Sequence, residues 1–513
     1  MRPYKLVSAV LLAATISLAA RPVYAHGFGE RYDLPVPLDY FLVGAGAVVA
    51  LSFVVVGVSL RPAHGNLSYP RFNLLAMPVL GRVLSSRALP AVVGVVSVVV
   101  FFVVLAAGLV GSERPLENIS PTFVWIIWWV GMGYVAALIG NLWALVNPWK
   151  ITFGWAEKLL GDDDGEEAAL FDYDERWDIW PAVGLFGAFA WLENVYGGAS
   201  EPFKLGVLVL AYSAITWAGM VAFGKHKWLR HGEAFSVLYG FFARFSPTEV
   251  RVTGSAVCAT CTADCDSDDE CVDCYECFEQ AHPGQRELNV RPYAVGLAHV
   301  HRVSTATAVF VVAALATVTF DGIVETPRWV RVQTEVYDVA DALFGAYALE
   351  SINTAGLFLF PAVFFGVFLA FSWGIRELGR EKTSVQQVAR AFVFSLVPIA
   401  LAYNMAHFLS LLLIQGQLII PLASDPFGTG WDIFGTADYV VDIAIINAKF
   451  VWFMSVVAIV VGHISSVYVA HVISLRRLGD RRDALRSQYP MLVLMVGYTA
   501  TSLWIIAQPI VEE

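Results

Sequence analysis

Residues 391–414 read AFVFSLVPIALAYNMAHFLSLLLI, and residues 444–475 read AIINAKFVWFMSVVAIVVGHISSVYVAHVISL. Both runs stay apolar for longer than the about 18 residues that a helix needs to cross a bilayer. Lipid offers free backbone groups no partner, so each run predicts a spanning helix. A barrel would show short alternating strands instead. Inside these lipid-length helices stand His407, His463 and His471, and the polar stretch between them carries Asp425, Asp432, Asp438 and Asp442. An ionisable side chain at membrane depth is costly, which makes the histidines the first candidates for function.

The same pattern recurs along the chain. Its 513 residues are 57% hydrophobic and 15% charged, which excludes an ordinary soluble globule. Residues 1–25 have the form of a cleaved signal peptide: Arg2 and Lys5, an apolar core from Leu6 to Ala20, and Val23-Tyr24-Ala25 at the cut. Cleavage would leave His26 as the mature amino terminus of a single integral domain, 26–513. Ten spans follow near 40–60, 88–110, 123–146, 180–195, 205–223, 303–320, 352–374, 391–414, 444–475 and 490–508. The predicted fold class is therefore all-α, a polytopic transmembrane helical bundle. The loops on one side collect 24 Lys and Arg and those on the other only 5. By the positive-inside rule, both mature termini and the loop between 415 and 443 lie outside. The expected location is the plasma membrane of a prokaryote, with the lipid bilayer as partner and no nucleic acid. Acids outnumber bases by 44 to 33, which suits a salt-rich cytosol. Glycine patterns such as Gly44-Ala45-Gly46 fall inside spans, where small residues serve helix packing rather than dinucleotide binding.

The inner loop 224–302 holds all six cysteines: Cys258, Cys261, Cys265, Cys271, Cys274 and Cys277. Thiols on the cytoplasmic side stay reduced, so ligation is expected before disulfides. Paired Cys-x2-Cys units suit tetrahedral zinc, and the run from Cys271 to Cys277 also fits part of an iron–sulfur ligand set. Redox-active or unligated thiols are the further alternative. Ahead of this cluster, residues 231–244 (HGEAFSVLYGFFAR) are apolar but too short to span, which predicts an interfacial amphipathic segment.

Several separated stretches carry a resemblance. They include His26-Gly27 with Asp33-Leu34-Pro35, Thr319-Phe320-Asp321-Gly322, Tyr403 with Ala406-His407, and Gln415-Gly416-Gln417. Ser424-Asp425-Pro426, Gly462-His463, Ala470-His471 and Ser487-Gln488-Tyr489 continue it. In this order the chain resembles a family of prokaryotic multi-span membrane proteins labelled fenitrothion hydrolase. The resemblance implies a membrane bundle and organophosphate hydrolysis, without assigned catalytic residues. The cysteine-rich insert lies outside the family pattern.

With Arg390 and Arg476 as inner-face marks and a rise of about 1.5 Å per residue, His407 stands roughly 25 Å up its helix, His463 roughly 20 Å and His471 about 8 Å. His407 and His463 are thus predicted partners, and His471 an inner-boundary residue. Metal handling or transport is the expected function. Copper or zinc would sit on His407, His463 and His26; alternatively a proton or metal would pass from the outer aspartates to the two histidines. A metal-activated hydrolase or a haem held by His407 and His463 for electron transfer is the competing expectation.

Overall fold

The computed structural model describes residues 32–59, 69–86, 88–160, 169–254, 261, 270–298 and 303–512. The signal sequence, His26, Cys258 and Cys265 lie outside the described residues. Helices follow one another as α1 (Leu38–Ser59), α2 (Ala88–Val110), α3 (Ile119–Leu138), α4 (Pro148–Leu160), α5 (Trp180–Asn194), α6 (Pro202–Phe223), α7 (Ala234–Ala243), α8 (Thr305–Val324), α9 (Pro327–Phe344), α10 (Ala348–Leu378), α11 (Val385–Ser424), α12 (Ala448–Leu478) and α13 (Arg481–Ile510). Among the described residues nine helical stretches, with α9 and α10 taken together, are long and apolar enough to cross a membrane. The expected span near 180–195 is α5, whose 15 residues fall short of the about 20 that a spanning helix uses. Including it, the number of crossings is even. In keeping with that, β1 (Tyr32–Asp33) pairs in parallel with β6 (Val511–Glu512) on one face.

Helix α11 is the centre of the bundle. In its most apolar window 72% is buried, against 28% for α1, whose remaining surface faces outward. It packs on α12 and α8, while α12 packs on α13 and α13 on α1 and α10. The α11–α12 crossing is close because Gly462 has no side chain. A Cβ there would stand 2.3 Å from the Ala402 Cβ and 2.7 Å from the Pro398 carbonyl. Without water to drive burial, such small-residue contact is how helices gain packing in lipid.

Three elements depart from the sequence-based expectation. Residues 234–243 do not lie at the interface: α7 is buried through Phe235, Leu238, Tyr239 and Phe242 and packs against α3 and α5. Its amino-terminal cap is Glu233, fully buried, which accepts from Phe235 N (2.9 Å), Ser236 N (2.7 Å), the Tyr212 hydroxyl (2.6 Å) and Trp143 Nε1 (3.4 Å). Four donors make a carboxylate tolerable there. Helix α9 falls between the expected spans near 303–320 and 352–374; it is amphipathic and anchored by Trp329, whose ring meets Phe320 and whose Nε1 donates to Asn353 Oδ1 (3.0 Å). Within α3, residues Thr122–Gly131 take the wider π-helical winding, a geometry concentrated at functional sites.

The face opposite the termini carries a small antiparallel sheet ordered β2-β5-β3-β4, with β2 Phe72–Asn73, β3 Thr248–Thr253, β4 Glu270–Val272 and β5 Arg286–Val290. Arg291, just past β5, is buried and donates from Nη1 to Glu249 Oε2 (3.0 Å) and Asp273 Oδ2 (2.9 Å). Burial opposes the guanidinium charge, but the Asp273 and Glu249 carboxylates outweigh it and push its pKa up. The network joins the cysteine segment to the sheet. Arg291→Ala removes a charge-assisted hydrogen bond from Asp273 and from buried Glu249, which keeps Arg71 and Tyr69 as partners, and is expected to cost about 1.5–3 kcal/mol. Hydrogen exchange should show it as lost amide protection in β3 and β5; unchanged protection would show that the sheet is held by other contacts.

Candidate functional site

Helices α5, α8 and α11 bring together three ionisable side chains. His407 on α11 is buried, and its Nε2 lies 2.8 Å from Asp321 Oδ2 on α8. The Asp321 side chain keeps 29% of its surface open, whereas His407 keeps 4%, so the carboxylate is the accessible member. Glu193 on α5 shares a cavity of about 20 Å³ with Asp321, bordered also by Trp129, Thr317, Asn404 and Phe408. That is room for about one water. The one hydrogen bond to Glu193 comes from Trp129 Nε1, set on the π-helical stretch of α3. Glu325, one turn beyond Asp321, adds a further negative charge that acts on His407. Compared with Glu233 and its four donors, Glu193 has a single donor among the described residues.

The polar chain continues away from this cluster. The Tyr403 ring stacks on His407 at 6.0 Å, and its hydroxyl is buried without a hydrogen-bond partner beside Gly322. Thr319 Oγ1 lies 2.5 Å from the Tyr498 hydroxyl, and the Tyr498 ring in turn lies 6.0 Å from that of His463. His463 directs Nδ1 at the Ile459 carbonyl (2.8 Å), so Nδ1 carries the proton and Nε2 is an acceptor, buried and without a partner. His471 was expected at the inner boundary. It is fully buried among the helices, its Nδ1 accepting from Gln488 Nε2 at 2.7 Å, which leaves the proton on Nε2, without a partner among the described residues. The two imidazoles thus hold opposite tautomers.

Other predicted residues are placed differently. Asp425 accepts from Thr429 N (3.0 Å) and Gly430 N (2.6 Å), Asp432 from Ala437 N (3.0 Å) and Asp442 from Ala444 N (2.9 Å). These three shape their own loop, and Asp438 joins no donor set with them. Among the described residues, the group of three metal-capable donors that converges is Cys261, Cys274 and Cys277, with sulfurs all within 4.8 Å of one another. No histidine belongs to such a group there. Zinc–sulfur bonds of about 2.3 Å at the tetrahedral angle separate two sulfurs by about 3.8 Å. Cys261 and Cys274 lie 3.7 Å apart. Burial, then the adjacent Cys261 and Cys274 sulfurs, pushes the Cys277 thiol up; Cys271 acts on it in the other direction.

Asp321 and Glu193 are the site residues that reading for histidines overlooked. The signal was present, since a carboxylate in or at the end of an apolar span invites the same suspicion as a histidine. No family model, curated protein or solved structure matches this chain.

The contact between α8 and α11 is tight at Gly322, where a Cβ would fall 2.3 Å from the Tyr403 hydroxyl and 2.8 Å from Ile505. Gly322→Ala is expected to destabilise the bundle by about 1–3 kcal/mol through overpacking. Gly184→Ala, where a Cβ meets nothing within 4 Å, should leave the melting temperature in detergent near wild type. Equal melting of the two variants would contradict the close approach.

Proposed function

We propose that this integral membrane protein is a transporter that moves or couples to a proton through the His407–Asp321 pair. The observation that carries the reading is that pair itself: an imidazole and a carboxylate at 2.8 Å in the apolar bundle, beside Glu193 and a water-sized cavity. One added proton takes the pair from a single net negative charge to neutrality, which lowers the cost of holding it in a poor dielectric. The charge asymmetry of the loops puts Asp321 toward the outer side, where its open surface admits the proton first. Inward of His407, on which Tyr403 stacks, the Tyr498–His463 contact and the Nε2 atoms of His463 and His471, without partners among the described residues, suit stepwise relay. Haem or metal ligation through His407 Nε2 would have to displace Asp321.

A second reading concerns the cysteine segment and rests on the three converging sulfurs. It is a structural zinc site on Cys261, Cys274 and Cys277, and the 3.7 Å sulfur separation favours one ion over a cluster that spreads its ligands around several irons. Bound zinc would supply cross-linking of the segment and no step of transport.

Proteoliposomes enclosing a pH-sensitive dye test the first reading. Wild type should dissipate an imposed pH gradient. His407→Ala and Asp321→Asn each lose a charge-assisted hydrogen bond of about 1.5–3 kcal/mol and should slow dissipation by about tenfold or more while inserting normally. An inert wild type, or variants that match it, would sink the proposal. For the second, elemental analysis of purified protein should give one zinc per chain, lost in Cys274→Ser with proton flux retained. Zinc-free wild type would refute it.

A further inference from the structure

Helices α5 and α6 follow one another in the chain but do not pack together. Helix α5 packs on α7, α8 and α10, whereas α6 packs on α2 and on the short helix Lys225–His231, with smaller contacts to α3 and α4 and Tyr212 reaching Phe235 of α7. Val104, Ala107, Ile119, Val124, Leu205 and Leu422 form a smaller cluster beside the main core, with Trp125 and Trp128 packed against both. Between the two groups lies a cleft of about 550 Å³, within the range of about 300–1,000 Å³ of small-molecule sites. Its sides are Val96 and Val100 of α2, Leu185 and Leu192 of α5, and Leu208 and Ile215 of α6. Its floor is aromatic, with Trp125, Trp149 and Phe235.

The chemistry of this wall selects its occupant. Trp125 Nε1 donates to the Ala199 carbonyl (2.9 Å), Trp149 Nε1 to Ser213 Oγ (2.8 Å), Trp143 Nε1 to Glu233, and the Tyr212 hydroxyl to Glu233. These polar atoms are used inside the protein and leave apolar ring faces toward the space. Water needs two to four polar partners and gains little there. Leaving the space empty forfeits dispersion contacts over the whole lining. Val92, Val96 and Ile215 at the rim are exposed on spanning helices, so the mouth opens at the depth of the bilayer hydrocarbon.

We infer that this cleft is a binding site for one hydrocarbon chain of a membrane lipid, inserted from the bilayer between α5 and the α2–α6 pair. The chain completes the packing between the main core and the smaller cluster. The site is separate from the His407–Asp321 cluster and stands whether or not that cluster carries protons.

Native mass spectrometry of delipidated protein in detergent, titrated with phosphatidylcholine of defined chain length, tests this. Wild type should retain one lipid in a saturable step that survives collisional stripping of the rest. Val96→Trp/Leu208→Trp, which fills the cleft, should lose that lipid. Val99→Trp, on an exposed position of α2 outside the lining, should keep it. Val100→Phe intrudes less and should weaken retention if the double variant does not fold. Absence of a saturable lipid on wild type overturns the inference. So does equal retention by the cleft-filling variants and Val99→Trp.

Discussion

Hydrocarbon cannot hydrogen-bond, and each polar atom carried into it must be answered by the protein itself. Glu233 shows a complete answer, with two backbone amides, a phenol and an indole converging on one carboxylate. The serines and threonines of the spans give a cheaper one by donating to the carbonyl a turn back, as Thr319 and Ser372 do. Against that background several buried atoms stand without a partner among the described residues: Nε2 of His463 and His471 and the Tyr403 hydroxyl, and equally Thr216 Oγ1, Ser410 Oγ, Trp452 Nε1 and Ser502 Oγ.

The spans were legible because hydropathy is a local property, and a run such as 444–475 reports its environment without reference to any other residue. His407 was legible for the same reason. Its partner was not, because Asp321 lies 86 positions earlier and meets it only when α8 packs on α11. Residues 231–244 were misread because their length and polarity match an interfacial segment. What buries them is Tyr212 and Trp143 closing on Glu233, a contact that no window of sequence contains. Helix α9 was missed because its mean hydropathy resembles that of a loop. Its helicity shows only in the spacing of its charges and in the packing of Trp329 on Phe320.

The cysteine segment shows the same division between local and tertiary information. Spacing singled out six thiols as a group, and the fold then chose three of those described. It did so by laying β4 against β3 and holding Asp273 to Arg291, which fixes Cys274 in the next position. The bundle and this segment therefore rest on different physics. One depends on dispersion between closely approaching helices, the other on buried ion pairs and sulfur chemistry.

The pairing of β1 with β6 has a consequence for synthesis. Tyr32 and Val511 are register partners, and α1 packs on α12 and α13 rather than on α2, which follows it. Helix α1 therefore meets these neighbours only once α12 and α13 have been made. It must dwell in the bilayer as a lone helix while some 400 residues are made, about 20 seconds to over a minute at ordinary elongation rates of about 5–20 residues per second. A lone span survives that wait only if lipid alone satisfies it. Helix α1 meets this requirement, with a mean hydropathy of 2.6 in its most apolar window and no charged residue between Asp39 and Ser59. The composition of α1 thus answers to the order of assembly as much as to the finished structure.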